Sequence, residues 1–405
     1  MSLPKSKKRF AVAVTKKRWN DQLKHNIARI TAVLLLFSAV FAYNTHNARA
    51  EGVAVSAASA VVMEASTGRV LYEKNAHDKM PMASTTKVMT ALVALEYGNM
   101  SDVVTVSKNA SGVEGSSIWL SVGEKMTLSD MLYGLMLASG NDAAVAIAEH
   151  VGGSLDAFVD MMNKKAQEIG AYDTHFMNPN GLPVDGHYTT AYDLALISAY
   201  AMRNPAFCEI VKTQYKTLPW EGHEWDRVVK NKNKILWNYE GGNGIKTGFT
   251  KEAGRCLTAA AQRDNMQLVS VVLSAPNMFE DCMALMDYGF ENYQNRVIVQ
   301  QGELVGDVAV NEGMQDSFSV YTDRDVNYPL TDEEYGLIQK TVHLEKEVEA
   351  PVSKGQVVGT VDLWLGEQRL CSVELKSTCQ IGENSYPYNL NKLLKFWTKA
   401  WITDM

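Results

Sequence analysis

Cysteine is scarce. Cys208, Cys256, Cys282, Cys371 and Cys379 are the five in 405 residues, too sparse and too irregularly spaced for a disulfide scaffold or a zinc site. Cys371 and Cys379 are close enough to pair across a hairpin, and two small buried thiols are the equal alternative. No His-Glu-x-x-His and no close His/Asp cluster occurs, and His223-Glu-Trp225 stands alone, so no metal or cofactor is implied. Long apolar runs are missing too: the one over residues 30–42 is too short to span a bilayer comfortably as a mature helix. Repeats and low-complexity tracts are absent. What remains is an ordinary folded composition, 46% hydrophobic and 21% charged, long enough for two or more domains. Positive charge is in deficit once the first fifty residues are set aside. They hold ten of the 39 Lys+Arg and one of the 46 Asp+Glu, which leaves 29 basic against 45 acidic residues, net −16. Such a surface repels polyanions and argues against nucleic acid as a partner.

Those first residues have their own pattern. Lys5, Lys7, Lys8, Arg9, Lys16, Lys17, Arg18, Lys24 and Arg29 precede the apolar run, and Ala48-Arg49-Ala50 follows it. This reads as an export signal cut before Glu51, the alternative being an uncleaved anchor. Either way the working part lies outside the cytoplasm, at the outer face of the cytoplasmic membrane. At the other end Leu390, Leu393, Leu394, Trp397 and Trp401 share one helix face, and Lys392, Lys395 and Lys399 another. That is the composition of a helix lying in a membrane interface, with a terminal helix packed on its own domain as the alternative.

Between the ends the pattern predicts an α+β layout. Residues 58–63 and 69–72 read as two strands joined by a turn at Ser66-Thr-Gly68. Thr127-Leu-Ser-Asp130 resembles a capping box with Asp where Glu or Gln is usual, and Met131, Leu132, Leu135 and Met136 make an apolar stripe after it. Further helices are predicted over 142–150, ending at Gly152-Gly153, and over 155–169 and 190–203. Strand patterns over 245–250, 255–262 and 267–273 predict an antiparallel meander. Short β-rich runs at 297–299, 317–321, 340–344 and 356–364 predict a small all-β domain of roughly ninety residues. The expected domains are a signal peptide over 1–50, a first domain over 51–292, the β domain over 293–385 and an amphipathic membrane-anchoring helix over 386–405.

Pro81-Met-Ala-Ser-Thr-Thr-Lys87 places Ser84 and Lys87 three residues apart before an apolar run. Alone this is cheap: Ser2-Leu-Pro-Lys5 repeats the pattern, and Ser107-Lys-Asn109 repeats Ser-x-Asn. Context separates them. Residues i and i+3 share a helix face, so the Lys87 amine can reach the Ser84 hydroxyl, while Val88, Met89, Ala91 and Leu92 bury that helix. A buried lysine loses preference for its charged form and can act as a base near neutrality. The helix N-terminus favours negative charge developing on Ser84. Each motif has a bland reading: a capping serine at Ser84, a polar turn at Ser139-Gly-Asn141, a strand end at Lys246-Thr-Gly248. What outweighs these is the order Ser84-x-x-Lys87, Ser139-x-Asn141, Lys246-Thr-Gly248, the motif set of class A β-lactamases and penicillin-binding proteins.

With these residues the chain resembles low-molecular-mass penicillin-binding proteins of the serine D-alanyl-D-alanine carboxypeptidase family. The resemblance runs from about residue 60 to 290 and includes Ala138-Ser-Gly-Asn-Asp-Ala143, Phe176-Met-Asn-Pro-Asn-Gly-Leu182, His187-Tyr-Thr-Thr-Ala-Tyr-Asp193 and Gly244-Ile-Lys-Thr-Gly-Phe-Thr250. It implies an antiparallel sheet with an inserted helical cluster, the β-lactamase/transpeptidase-like fold, then a stalk and a membrane anchor. Ser84 would attack the carbonyl of the penultimate D-alanine and become an acyl-enzyme, with Lys87 taking its proton. Ser139 and Lys246 would pass a proton to the leaving amine and hold positive charge near the substrate carboxylate. Asn141 would bond the substrate backbone or fix Lys87, and Thr247 would meet the terminal carboxylate. Gly248 would let the substrate approach, and the N–H groups of Ser84 and Phe249 would form the oxyanion hole. The implied partners are peptidoglycan stem peptides, β-lactams as covalent inhibitors and a membrane surface; oligomeric state is unknown. His187 stays outside the catalytic set, since one loop histidine is usually structural. Where related enzymes commonly carry an arginine this chain has Lys232, a point charge and not a bidentate fork. The rivals are a transpeptidase, a β-lactamase and a non-catalytic wall-binding protein. A class A β-lactamase needs a glutamate on the loop over 175–188, which has none, and an intact trio argues against a mere binding protein.

Overall fold

The structure, a computed structural model, describes residues 53–384 together with Leu390, Leu393 and Leu394. The expected signal over 1–50 and most of the expected anchoring helix over 386–405 lie outside the described residues.

The predicted hairpin is β1 (Ser59–Glu64) and β2 (Val70–Lys74). Its turn is tied by the Glu64 carboxylate, which accepts bonds from the N–H and hydroxyl groups of Ser66 and Thr67. The predicted meander is β7 (Gly242–Thr250), β8 (Gly254–Arg263) and β9 (Met266–Leu273). β1 closes antiparallel on β9, from Ser59↔Leu273 to Glu64↔Leu268, so the sheet order is β2-β1-β9-β8-β7. Everything between β2 and β7 is therefore an insertion. It comprises α1 (Lys87–Tyr97), a hairpin of β3 (Val103–Thr105) and β4 (Lys125–Thr127), then α2 (Leu128–Tyr133), α3 (Asn141–Gly152) and α4 (Leu155–Ile169). α5 (Ala191–Ala201), α6 (Pro205–Lys212), a hairpin of β5 (Tyr215–Leu218) and β6 (Arg227–Lys230), and α7 (Ile235–Asn238) follow. The α+β reading holds. The two small hairpins escape it, because strands of three or four residues are too short to show alternation.

Helix starts follow the side chains available. Thr127 caps α2 by accepting the Asp130 N–H at 3.0 Å, and its hydroxyl donates to the Asp130 carboxylate at 2.8 Å, a contact the shorter acid can make. Ser154, Thr190 and Asn204 cap α4, α5 and α6, the last with Pro205 at its first position. α1 is buried on every side from Lys87 to Ala94, packed among α3, α4 and α5. That burial carries a lysine amine into the core. α5 and α8 (Met278–Asn292) lie against β1 and β9, and β8 and β9 are buried along most of their length, so both sheet faces are covered.

Beyond α8, β10 (Gln294–Val299) pairs with β13 (Val326–Leu330). A six-stranded sheet runs in the order β14 (Ile338–Leu344), β16 (Val357–Leu365), β17 (Gln368–Ser377), β12 (Ser317–Thr322), β11 (Leu304–Asn311) and β15 (Glu347–Glu349). A short α9 (Asp332–Tyr335) precedes β14. Val308, Phe318, Val320, Leu363 and Leu375 belong to a core of its own. The hairpin and this domain are joined by Arg69, whose guanidinium lies 5.2 Å from the ring centroids of Tyr293 and Tyr328 and donates to Glu334 and the Pro329 carbonyl. Cys371 and Cys379 are free thiols, as are the other three cysteines, but both are only half-buried and not the buried pair expected as the alternative to a bridge.

Candidate active site

Ser84 does not cap a helix. Ala83–Thr86 is a single 3₁₀ turn whose N-cap, Met82, makes no side-chain cap bond, and it runs directly into α1 at Lys87. Ala83, immediately before the serine, has φ 49°, a left-handed conformation that is costly for a residue with a Cβ. Neighbours hold it there. Thr86 Oγ1 donates to the Ala83 carbonyl at 2.9 Å, and Gly181 packs so closely that a Cβ on it would lie 2.0 Å from that carbonyl oxygen.

The Lys87 amine, fully buried, lies 3.0 Å from Ser84 Oγ, 2.7 Å from Asn141 Oδ1 and 2.5 Å from the Asn180 carbonyl. Asn141 is oriented by its Nδ2, which donates to the Glu114 carbonyl. The two asparagine oxygens can only accept, so they take two N–H bonds, and the third tetrahedral position faces the one partner able to donate. Burial first, then the charges of Lys246 and Lys232, hold the amine well below its ordinary 10.5, against a lesser upward pull from Asp142. In its neutral form the amine aims its lone pair at the Ser84 hydroxyl.

The second motif forms the bend between a π turn (Gly134–Ala138) and α3. Ser139 has φ 67°, Gly140 is the N-cap and Asn141 opens the helix. The buried carboxylate of Asp142 accepts the Ser117 hydroxyl at 2.6 Å and the N–H groups of Ile118 and Leu120 at 3.0 and 3.1 Å. The Ser116 carbonyl accepts the Asn141 N–H at 2.7 Å. A segment some 25 residues upstream is thereby folded over the motif.

The third motif lies on β7, the edge strand. Lys246 is 1% exposed, and burial followed by the Lys232 charge lowers its amine to about 7. A Cβ on Gly248 would sit 3.1 Å from the Met82 carbonyl and from the Ser84 and Thr85 nitrogens, so only glycine lets β7 press against the Ser84 turn without displacement. Phe249 is 65% exposed and Thr247 half-buried beside it. Among the expected residues, hydrogen bonds join Ser84, Lys87 and Asn141; Gly248 joins by packing and Lys246 through its field on Lys87. Ser139 sits in the bend before α3, and Thr247 and Phe249 on β7, opposite Leu257 and Arg255 of β8.

Sequence reasoning missed three contributors. Asn180 acts through its backbone carbonyl, which no residue type announces. Asp142 acts on a distant loop. His187, set aside as structural, holds the turn that carries Ser84. Its Nδ1 accepts the Met177 N–H at 3.0 Å, so Nε2 carries the proton and donates to Thr86 Oγ1 at 2.8 Å, which in turn donates to the Ala83 carbonyl. Burial first, then His175 and Lys87, lower its ring to about 4, from an ordinary 6.5. The unfolded chain therefore takes the proton first, and stability falls as pH drops from about 6.5 toward 4. His187→Gln should flatten that slope in thermal unfolding. His187→Ala should slow penicillin acylation by about tenfold or more through a shifted serine, with Gln restoring part of the loss; an unchanged rate in the alanine variant would separate His187 from the turn.

Comparison with known proteins decides what this geometry belongs to. Residues 44–277 match the family model described as D-alanyl-D-alanine carboxypeptidase. The chain belongs to this family. Residues 293–383 match the penicillin-binding protein 5 C-terminal domain. D-alanyl-D-alanine carboxypeptidase DacF of Bacillus subtilis is 34% identical over 91% of this chain and 97% of its own. The crystal structure of penicillin-binding protein 5 from Haemophilus influenzae is 28% identical, with TM-score 0.68 over 82% of this chain and 98% of that one. A serine-to-alanine mutant of the Streptomyces K15 DD-transpeptidase is 35% identical, with TM-score 0.57 over 59% of this chain and 99% of that one. As a member of the carboxypeptidase family the chain is a serine-type peptidase, a hydrolase of the penicillin-binding class whose members act on cell-wall peptidoglycan.

Proposed function

We propose that this carboxypeptidase removes the terminal D-alanine from peptidoglycan stem peptides through an acyl-enzyme on Ser84, and that β-lactams acylate the same oxygen. The observation that carries the reading is the Lys87 amine, held by two acceptor-only oxygens so that its free position faces Ser84 Oγ. Ser84 Oγ attacks the penultimate carbonyl carbon as Lys87 takes its proton. Negative charge gathers on the carbonyl oxygen between the N–H groups of Ser84 and Phe249. The C–N bond breaks, the departing amine receives a proton by way of Ser139, and water then hydrolyses the ester. Lys246 and Thr247 hold the terminal carboxylate, and Asn141 keeps Lys87 in place. The peptide adds as a strand along the outer edge of β7. In place of the glutamate a β-lactamase needs, the loop over 175–188 brings the Asn180 carbonyl to Lys87, which supports a long-lived penicillin adduct.

Lys232 supports the site by charge. Its Nζ lies 3.3 Å from Ser116 Oγ, and its field lowers both Lys87 and Lys246. In Lys232→Gln the Lys87 amine loses a depressing charge, so the rising limb of acylation against pH should move to higher pH. A limb that stays in place would remove Lys232 from the site's electrostatics.

The same reading places a cleaved signal over 1–50, the catalytic domain over 51–292, the β domain over 293–385 and a surface-lying helix over 386–405, with the enzyme at the outer face of the cytoplasmic membrane. The basic and apolar N-terminal run and the Leu/Trp and Lys faces after residue 390 support it. Among the described residues no helix is long and apolar enough to cross a membrane.

The deciding experiment is intact mass after incubation with benzylpenicillin, beside Ser84→Ala, with D-alanine release from a diacyl-Lys-D-Ala-D-Ala peptide followed in parallel. A stable adduct that needs Ser84, together with D-alanine release, supports the carboxypeptidase. Rapid drug turnover would make it a β-lactamase, and no adduct a binding protein. The Streptomyces relative named as a transpeptidase favours one added arm: a D-amino-acid acceptor in the assay, whose incorporation into the peptide would reveal aminolysis of the acyl-enzyme.

A further inference from the structure

Two cavities outside the serine site adjoin one another. One of about 430 Å³ is lined by Ser117, Trp119, Ala138, Trp220, Arg227 and Lys232 among others. The second, of about 470 Å³, shares Ser117, Trp119 and Trp220 and runs on to Gly112 and Gly115. Both lie in the size range of small-molecule sites, ~300–1,000 Å³. Together they form a groove that begins at Lys232 and at Ala138, the neighbour of Ser139, and leads away from the catalytic serine.

The groove is braced. Trp119 has φ 62°, a strained conformation for a bulky residue, yet the residue is 73% exposed. The Trp119 backbone N–H donates to Ser117 Oγ at 2.8 Å and its carbonyl accepts from Arg227 at 3.1 Å. Arg227 also donates to the Pro219 carbonyl at 2.9 Å and is forked on the buried Glu124 carboxylate at 2.6 and 2.8 Å. A buried ion pair is costly unless well bonded, and this one ties the loop carrying Trp119 to the loop carrying Trp220. Trp220 is packed between His223, ring centroids 4.0 Å apart, and the Arg227 guanidinium, 4.7 Å from its ring. Trp220, which lines both cavities, is itself only half-buried. Strain and a buried ion pair that hold apolar rings in water mark a binding surface, since they contribute nothing to a core.

We infer that this groove is a subsite for an amino-sugar ring of the glycan to which the stem peptides are attached. A pyranose offers a flat C–H face to an indole and a rim of hydroxyl and acetamido groups to polar side chains, and Ser117, Asp226 and Lys230 line the groove beside the tryptophans. Continuity with the serine cleft makes its occupant part of the same polymer mesh as the peptide. A protein partner would need a larger contact, more than ~1,000 Å² in all. The inference rests on the peptidoglycan reading above.

The test uses the full chain and a peptide-free tetrasaccharide of alternating N-acetylglucosamine and N-acetylmuramic acid, titrated by calorimetry. Wild type should bind it; Trp119→Ala and Trp220→Ala should each weaken binding by about tenfold, the loss of one aromatic stack, and Trp119→Phe should keep most of it. The alanine variants should leave kcat/KM for a short D-Ala-D-Ala peptide within about twofold and lower it about tenfold on a glycan-linked stem. Trp220 lies outside the strained segment, so its variant keeps the test valid if Trp119→Ala misfolds. No binding by wild type, or equal losses on both substrates, overturns the subsite; so does displacement of the saccharide by an unrelated apolar peptide. Saccharide binding without D-alanine release would overturn the catalytic reading and leave the subsite standing.

Discussion

Lys87→Met should lower penicillin acylation and kcat/KM for a D-Ala-D-Ala peptide together, by about 10³-fold, within the range that general-base groups supply. Methionine keeps the unbranched shape and tolerates the buried site, but it has no lone pair of comparable basicity to receive the Ser84 proton. The Asn141 Oδ1 and Asn180 carbonyl oxygens each lose a donor, so thermal unfolding should also shift, by the cost of unpaired buried acceptors, ~1–3 kcal/mol apiece. The wild-type acylation rate should rise with pH as Lys87 loses its proton, and the variant should lack that limb. Acylation rates by quenched-flow mass spectrometry across pH decide it. A loss below about tenfold would move the base role to another group, with Ser139 the next candidate.

Gly181→Ala should do comparable damage by a different route. Gly181 has φ 85°, and a Cβ there would lie 2.0 Å from the Ala83 carbonyl oxygen, 2.5 Å from its carbon and 2.9 Å from Thr86 Oγ1. The first two are backbone atoms and cannot swing aside. Either the loop over 175–188 lifts or the Ser84 turn shifts, and in both cases the Asn180 carbonyl leaves Lys87. Overpacking plus a left-handed alanine should cost about 2–5 kcal/mol, a Tm fall on the order of 10 °C. Acylation should slow in parallel. A Tm within about 2 °C of wild type would mean that the loop is not seated on the turn as described.

The parts of the fold that were legible share one property: their signals are local. The stripe at Met131, Leu132, Leu135 and Met136 lies buried along α2 and the π turn, and the helix over 155–169 is found as Leu155–Ile169. Thr127, Thr190 and Gly153 mark helix ends through side chains or conformations that act within a turn. What stayed illegible involves distance. His187 meets Thr86 across 101 residues, and Asp142 meets Ile118 across 24. Asn180 contributes a carbonyl that every residue has. Ser84 was readable as a candidate, but whether it caps a helix was settled by a 3₁₀ turn that begins one residue earlier.

The sequence by itself determined the reagents and their order: a serine and a lysine one helical turn apart, a Ser-x-Asn bend and a Lys-Thr-Gly strand. Spacing along a helix or strand is fixed by covalent geometry, so these juxtapositions need no tertiary knowledge. Only the tertiary structure decided which way the Lys87 lone pair points and how far its proton affinity falls. Both depend on α1 being buried among three helices and on acceptors that arrive from residues 54 and 93 positions away. Desolvation and the direction of a hydrogen bond are properties of what surrounds an atom in space, and chain neighbours supply little of either.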